Sequence, residues 1–228
     1  MLNVEKLGDQ IYYFTNLIDD PQFFIDTLEY LESVSDETKA FIPRKEWNAS
    51  SIKDFKYGDV QRIKFNNLDS LKEDEHVRSK FVIDSVYQAM EKAFSHVKDD
   101  QGIEDAVNVY PDFCIHRYYE GAAMGAHFDQ QEGNTSLKYS IVIYLNDDYE
   151  GGEVSFVVKE APIPMDEKPR EDLNDMQNKD RIDFYVKPKA GSALVFPAFA
   201  PYYHTAHLVK SGKKYMIPGH WVEGDNNE

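Results

Sequence analysis

Leu137-Lys138-Tyr139-Ser140-Ile141-Val142-Ile143-Tyr144-Leu145-Asn146 alternates from end to end. Leu137, Tyr139, Ile141, Ile143 and Leu145 fall on one face, and Lys138, Ser140, Val142 and Tyr144 on the other. A period of two reads as a β-strand, whereas a helix needs a period near 3.6. The same texture continues on both sides. Upstream, Val107 to Tyr119 reads as a strand in which Pro111 marks a bulge or an edge. Downstream, Glu150-Gly151-Gly152 reads as a turn and Glu153 to Val158 as a strand. Ala161 to Arg181 is proline-rich and charged, the composition of an insertion or lid. Strands resume at Ile182 to Val186 and Ser192 to Phe196, around the turn Pro188-Lys189-Ala190-Gly191. Tyr203 to Val209 and Lys213 to Val222 close the series. Strands this closely spaced, with no helices between them, predict an antiparallel jelly roll, a double-stranded β-helix.

The first hundred residues read differently. Ile11 to Phe14 is a short strand. Asp19-Asp20-Pro21 offers a cap and a first-turn proline, and Phe24, Leu28 and Leu31 follow at helical spacing, so the spacing predicts a helix over 21–34. Residues 36–59 read as irregular, with Trp47 and Tyr57 as candidates to line a groove. Val60 to Phe65 is a strand and Asp69 to Glu75 a loop. A second helix is expected over 76–97, with Val82, Val86, Met90, Ala93 and Val97 as its buried stripe, widened by Phe81, Tyr87 and Phe94. The expected organisation is one domain over 1–228. Within it, 1–104 forms a helical and strand support and 105–223 the jelly-roll core, a mainly β fold with the helices packed outside the sheet.

The formal charge of -16 opposes nucleic-acid phosphate and anionic membrane surfaces, so neither is expected as a partner. Cys114 is the one cysteine, which excludes an intrachain disulfide and suits a reducing compartment. Met1-Leu2-Asn3-Val4-Glu5 has no basic segment or apolar core of a signal peptide. No apolar run approaches the roughly 18–20 residues of a membrane helix. A soluble, cytoplasmic protein is expected.

Within the strand-rich half, Tyr118 to Asp129 carries His127 and Asp129 two residues apart. In a strand such residues share a face, with Phe128 turned away. An imidazole and a carboxylate side by side are two thirds of the two-histidine, one-carboxylate set that holds non-haem Fe(II). On its own, His-x-Asp is also satisfied by a surface ion pair. Candidates for a third ligand are His204, His207 and His220. Lys213 and Lys214 are adjacent, so in a strand only one can turn inward to meet an anion.

Four blocks in order make the chain resemble the prolyl 4-hydroxylase-like branch of the Fe(II)- and 2-oxoglutarate-dependent dioxygenases. They are Tyr118, Gly121, His127 and Asp129; then Tyr144-Leu145-Asn146 with Gly151-Gly152-Glu153 and Phe156; then Pro188, Gly191 and Ala193 to Phe196; and finally His204 in the family spacing to Gly212 and Lys214. His207 breaks that last spacing. The resemblance covers about residues 105–222. It implies that His127, Asp129 and His204 ligate Fe(II), and that Lys214, or Lys213 if the register is one off, pairs with the distal carboxylate of 2-oxoglutarate. It also implies that Tyr144 hydrogen-bonds that carboxylate and that Tyr118 lines the co-substrate pocket. O2 is the second co-substrate and ascorbate an accessory reductant. The implied activity is hydroxylation of a C–H bond, foremost in a prolyl residue of a peptide or protein, with succinate and CO2 as co-products. A free amino acid or other small molecule is the alternative substrate, and a non-catalytic jelly-roll metal-binding module the alternative class. The chain departs from the family pattern at Met124, Ser140 and Val154, and in the stretch Ile217 to Trp221, which is one residue longer than usual. His116, His207 and His220 are read as structural, and Cys114 as a small buried hydrophobe.

Overall fold

The computed structural model describes residues 2–34, 41–44, 56–57, 60–65, 72–104, 107–109, 113–130, 136–157 and 184–223. Its elements in chain order are β1 (Asn3–Gly8), β2 (Ile11–Thr15), α1 (Pro21–Val34), β3 (Phe41–Arg44), β4 (Lys56–Tyr57), β5 (Val60–Phe65), α2 (Glu73–Gln101), β6 (Val107–Val109), β7 (Ile115–Tyr118) and β8 (Ala123–His127). Then come β9 (Leu137–Tyr144), β10 (Glu150–Gly151), β11 (Val154–Val157), β12 (Phe184–Val186), β13 (Ala193–Pro197), β14 (Tyr203–Ala206), β15 (Val209–Ser211) and β16 (Lys214–Glu223).

The larger sheet runs β1-β2-β13-β9-β16-β7-β5-β3, with β6 also on β16. The smaller runs β12-β11-β14-β8-β4. Every pairing is antiparallel, as between Ile141 and Val195, or Ile217 and Ile143. This is the expected jelly roll, with both helices outside the larger sheet.

The larger sheet is buried on both faces, and period two divides its residues between two cores. Tyr12, Phe14, Tyr139, Ile141, Ile143, Val195, Ile217 and Trp221 pack toward the helices, against Leu28 and Leu31 of α1 and Val82, Val86, Met90 and Val97 of α2. Ile11, Tyr13, Tyr118, Tyr144, Leu194, Phe196 and Met216 face the smaller sheet, with Val154 and Phe156. The helices approach closely: a Cβ at Gly219 would collide with the Met90 side chain. Arg117 is buried on β7 and pairs with Glu32 of α1 at 2.7 Å, which ties that helix to the sheet.

Several boundaries differ from expectation. α1 begins at Pro21 as read, with Asp20 Oδ1 accepting the Phe23 amide at 3.2 Å. α2 is longer at both ends. It starts at Glu73, within the expected loop, because Glu75 caps the Lys72 amide at 3.2 Å and an acidic first turn suits the helix dipole. It stops at Gly102, whose φ of 62° takes the left-handed cap. Phe81 is not part of the buried stripe but is 54% exposed, meeting Phe23 edge-on at 5.2 Å. The segment read as irregular contains β3 and β4, and β1 precedes the first expected strand. Glu150-Gly151 is not a free turn but pairs with β15. The expected strand over 107–119 is two strands, β6 and β7; Pro111 lies outside the described residues, as do Trp47 and the expected lid at 161–181.

Candidate metal and co-substrate site

The structure brings His127, Asp129 and His204 together, with one donor atom of each within 4.8 Å of the others. The cause is strand pairing: His204 of β14 lies directly across from His127 of β8. β8 ends at His127, so Asp129 sits in the bend beyond the strand rather than on it. The carboxylate still turns toward the imidazoles. His127 Nε2 is 3.5 Å from Asp129 Oδ1, and His204 Nε2 is 3.9 Å from Oδ2. The two imidazole centroids are 4.2 Å apart. Phe128 turns away, as expected, and meets Tyr203 at 5.2 Å.

The donor set fits a divalent cation. His127 Nδ1 lies 2.7 Å from the Gly125 carbonyl, which can only accept, so that nitrogen carries a proton. In the neutral ring Nε2 then offers a lone pair toward Asp129. Burial and the adjacent His127 push His204 down to about 3, keeping that ring neutral. Burial alone would raise Asp129, but the surrounding imidazoles, His204 foremost, outweigh it and hold the carboxyl well below its usual range. Two imidazoles and a carboxylate converging on one point form a donor set for a cation, and two nitrogens with one oxygen suit Fe(II).

The second ring of contacts was only partly legible. Ser140 donates to Asp129 Oδ2 at 2.5 Å and lies 3.1 Å from His220 Nδ1. The alternation of 137–146 already puts Ser140 on Tyr144's face, but nothing in it points to Asp129. His220 was read as structural, yet it reaches the site through Ser140. Phe156 and Phe196 wall the His204 ring at 6.1 and 4.5 Å. His207 is elsewhere, bonded to Ser155 Oγ at 2.8 Å, and His116 is buried on β7.

The residues expected to hold 2-oxoglutarate share the inner face of the larger sheet. Lys214 pairs across from Tyr118, and Met216, two residues on, from Tyr144. Lys214 is 1% exposed, whereas Lys213 is exposed near the Tyr119 ring. Lys214 Nζ donates to the Gly152 carbonyl at 2.7 Å and lies 5.2 Å from the Tyr144 ring and 5.7 Å from the Tyr149 ring. Among the described residues, no carboxylate comes within ion-pair distance of it. Burial, with Lys187 adding repulsion, pushes it down to about 7. Burial raises both Tyr118 and Tyr144, so each keeps its phenolic proton and can donate. Asp129 adds to the rise at Tyr118, in keeping with a phenol near the His127–Asp129–His204 cluster. A desolvated ammonium among phenols, leading back to a metal-ligand cluster, fits a dianionic co-substrate. The sequence did not single out Tyr149 or Lys187; Lys187 Nζ stands 3.8 Å over the Tyr149 ring and donates to the Tyr149 and Gly151 carbonyls.

The sequence profile of the 2OG-Fe(II) oxygenase superfamily matches residues 113–222, the stretch that contains all of these residues. Residues 113–222 belong to that superfamily. The protein is mainly β, and the superfamily employs Fe(II), 2-oxoglutarate and O2. No curated protein sequence matches the chain. Solved structures do match in fold. A Pseudomonas putida prolyl-4-hydroxylase is 15% identical, with a TM-score of 0.56 over 95% of this chain and 94% of that one. A Trichoplax adhaerens prolyl hydroxylase, in complex with a hypoxia inducible factor oxygen degradation domain peptide fragment, is 11% identical, with a TM-score of 0.62 over 95% and 84%. A viral collagen prolyl hydroxylase from Paramecium Bursaria Chlorella virus-1 is 14% identical, with a TM-score of 0.52 over 96% and 98%. None of the helices among the described residues is long and apolar enough to cross a membrane.

Proposed function

We propose that this oxygenase hydroxylates a C–H bond of a prolyl residue in a peptide or protein, coupling it to conversion of 2-oxoglutarate and O2 into succinate and CO2. The observation that carries the reading is the His127–Asp129–His204 cluster in the same interior as the buried Lys214. His127, Asp129 and His204 would hold Fe(II), and Lys214 with Tyr144 the distal carboxylate of 2-oxoglutarate, while Tyr118 lines the space between them. The iron, when bound, supplies the activation of O2. The chain's own residues bind and orient. Ser140 fixes the Asp129 carboxylate, Phe156 and Phe196 keep water from His204, and Lys214 supplies the charge that the co-substrate needs out of water.

A prolyl substrate is supported by the three prolyl hydroxylases of like fold, and a peptide substrate by the fragment bound to the Trichoplax protein. Within the chain, 105–223 is the catalytic core and 1–104 its support. The net charge of -16 disfavours a nucleic-acid substrate. Cys114, the one cysteine, is buried and suits a reducing compartment such as the cytoplasm.

The test is incubation of purified protein with Fe(II), 2-oxoglutarate, O2, ascorbate and a library of proline-containing peptides. Succinate release and a peptide mass gain of one oxygen are expected. Succinate without peptide oxidation would move the substrate to a free amino acid or other small molecule. Absence of both metal and 2-oxoglutarate binding would leave only a non-catalytic module.

A further inference from the structure

His220 connects to the cluster through Ser140. It lies on β16 directly across from Ser140 of β9. Ser140 Oγ is 2.5 Å from Asp129 Oδ2 and 3.1 Å from His220 Nδ1. A carboxylate only accepts, so the single serine proton points to Asp129. Ser140 Oγ must then accept from His220, and Nδ1 is the protonated nitrogen. The chain of donation therefore runs in one direction, from His220 through Ser140 to Asp129 Oδ2.

We propose that His220 is a positioning residue for the metal: it orients the Ser140 hydroxyl, which anchors Asp129 Oδ2 and leaves Oδ1 as the ligand oxygen. The inference rests on the metal site proposed above. Without the His220 donor, the Ser140 hydroxyl can rotate to other acceptors, and the carboxylate is free to turn or to offer both oxygens. Groups that orient metal ligands from one step away typically govern metal affinity by about 10–100-fold. His220 has a second requirement as well. Its residue must donate from the position of Nδ1, which an asparagine amide can reproduce and a leucine cannot.

The experiment is titration of purified full-length protein with Mn(II) as an oxygen-stable probe, by calorimetry, for wild type, His220→Asn, His220→Leu, Ser140→Ala and the His220→Leu/Ser140→Ala double variant. His220→Leu is expected to weaken Mn(II) binding about tenfold or more. His220→Asn should stay within about threefold of wild type, and the urea midpoint of each variant should be close to the wild-type value. Because His220 acts through Ser140, His220→Leu should add little in the Ser140→Ala background. That last comparison reads the coupling even where one single variant is less stable. Unchanged Mn(II) affinity in His220→Leu, equal losses with Asn and Leu, or full additivity in the double variant would overturn the inference and leave the oxygenase reading intact. A wild type that binds no divalent metal would overturn both.

Discussion

Binding of 2-oxoglutarate should weaken steeply above neutral pH, and Lys214 supplies the reason. Its ammonium is 1% exposed, and burial with Lys187 nearby brings it down to about 7 from its ordinary value of 10.5. Above that pH the lysine of the free protein is mostly neutral, while the bound co-substrate requires it charged. Binding therefore takes up a proton, and the apparent dissociation constant is the intrinsic one divided by the charged fraction. With a midpoint of about 7, that fraction falls from roughly three quarters at pH 6.5 to about 3% at pH 8.5. The expected loss of affinity is about 25-fold, or about 2 kcal/mol. Calorimetry of 2-oxoglutarate binding to metal-saturated protein reads it directly. Repeating it in two buffers of different ionisation heat counts the protons taken up, about half a proton near pH 7 and close to one at pH 8.5. Lys214→Arg keeps its charge throughout and should flatten the profile, even if geometry weakens binding at every pH. A wild-type affinity constant within threefold from pH 6.5 to 8.5 would falsify the assignment. So would an arginine variant that keeps the full slope, since some other group would then be titrating. If Lys213→Ala, rather than Lys214→Ala, removed the co-substrate, the inward lysine would not be the clamp.

Three further outcomes follow from the packing. His127→Ala and Asp129→Ala should each abolish 2-oxoglutarate turnover and weaken divalent metal binding by orders of magnitude while the far-ultraviolet circular dichroism stays unchanged; retained succinate formation in either would place the metal elsewhere. Glu32→Ala leaves the buried Arg117 guanidinium without its 2.7 Å partner, and because Glu32 is partly solvated the cost should be about 2 kcal/mol in urea unfolding. Phe156→Ala empties a position that is 0% exposed between Phe184, Phe196 and His204. It should cost about 3–5 kcal/mol in the same assay, and a loss under 1 kcal/mol would mean that the site is not packed as described.

The architecture was legible where strands carry polar residues on one face. β9 is buried on both sides, and such strands ordinarily read as unbroken apolar runs. Its alternation is visible because Ser140 and Tyr144 occupy the face that lines the site. β1, β3 and β4 were not legible. β1 lies at the end of the sheet and has no fully buried residue, while β4 has two residues, too few for any periodicity. The start of α2 was missed because Lys72 is an unusual cap and Glu73 to Glu75 lack an apolar stripe. Phe81 was misassigned by its apolar character alone: with Val77, four residues earlier, it lies on the outer face, and both are exposed. At the site, His127 and Asp129 were visible as neighbours in sequence. His204 needed the spacing to Gly212 and Lys214, because its meeting with His127 is a pairing between distant strands. Ser140 and His220 meet across 80 residues and belong to no short motif, so only the fold joins them.

The run from Lys214 to Trp221 keeps the two ends of the site in register. Along β16, Lys214 and Met216 face the interior, while Tyr215 and Ile217 face the helices. The alternation continues through Gly219, against Met90, and Trp221, tilted against Phe94 at 5.0 Å, to leave His220 on the inner face. The register with β9 is regular from Met216 to Trp221 and shifts only between Trp221 and Val222. Lys214 and His220 therefore stand on the same face, because His220 lies six positions after Lys214 and an even offset keeps the face. A strand one residue shorter here would turn one of the two into the apolar layer beneath the helices, since a one-residue slip reverses every side chain beyond it. The unbroken alternation places a histidine opposite Ser140. The Asp129 carboxylate thus gains a donor chain from the same strand that carries the buried Lys214.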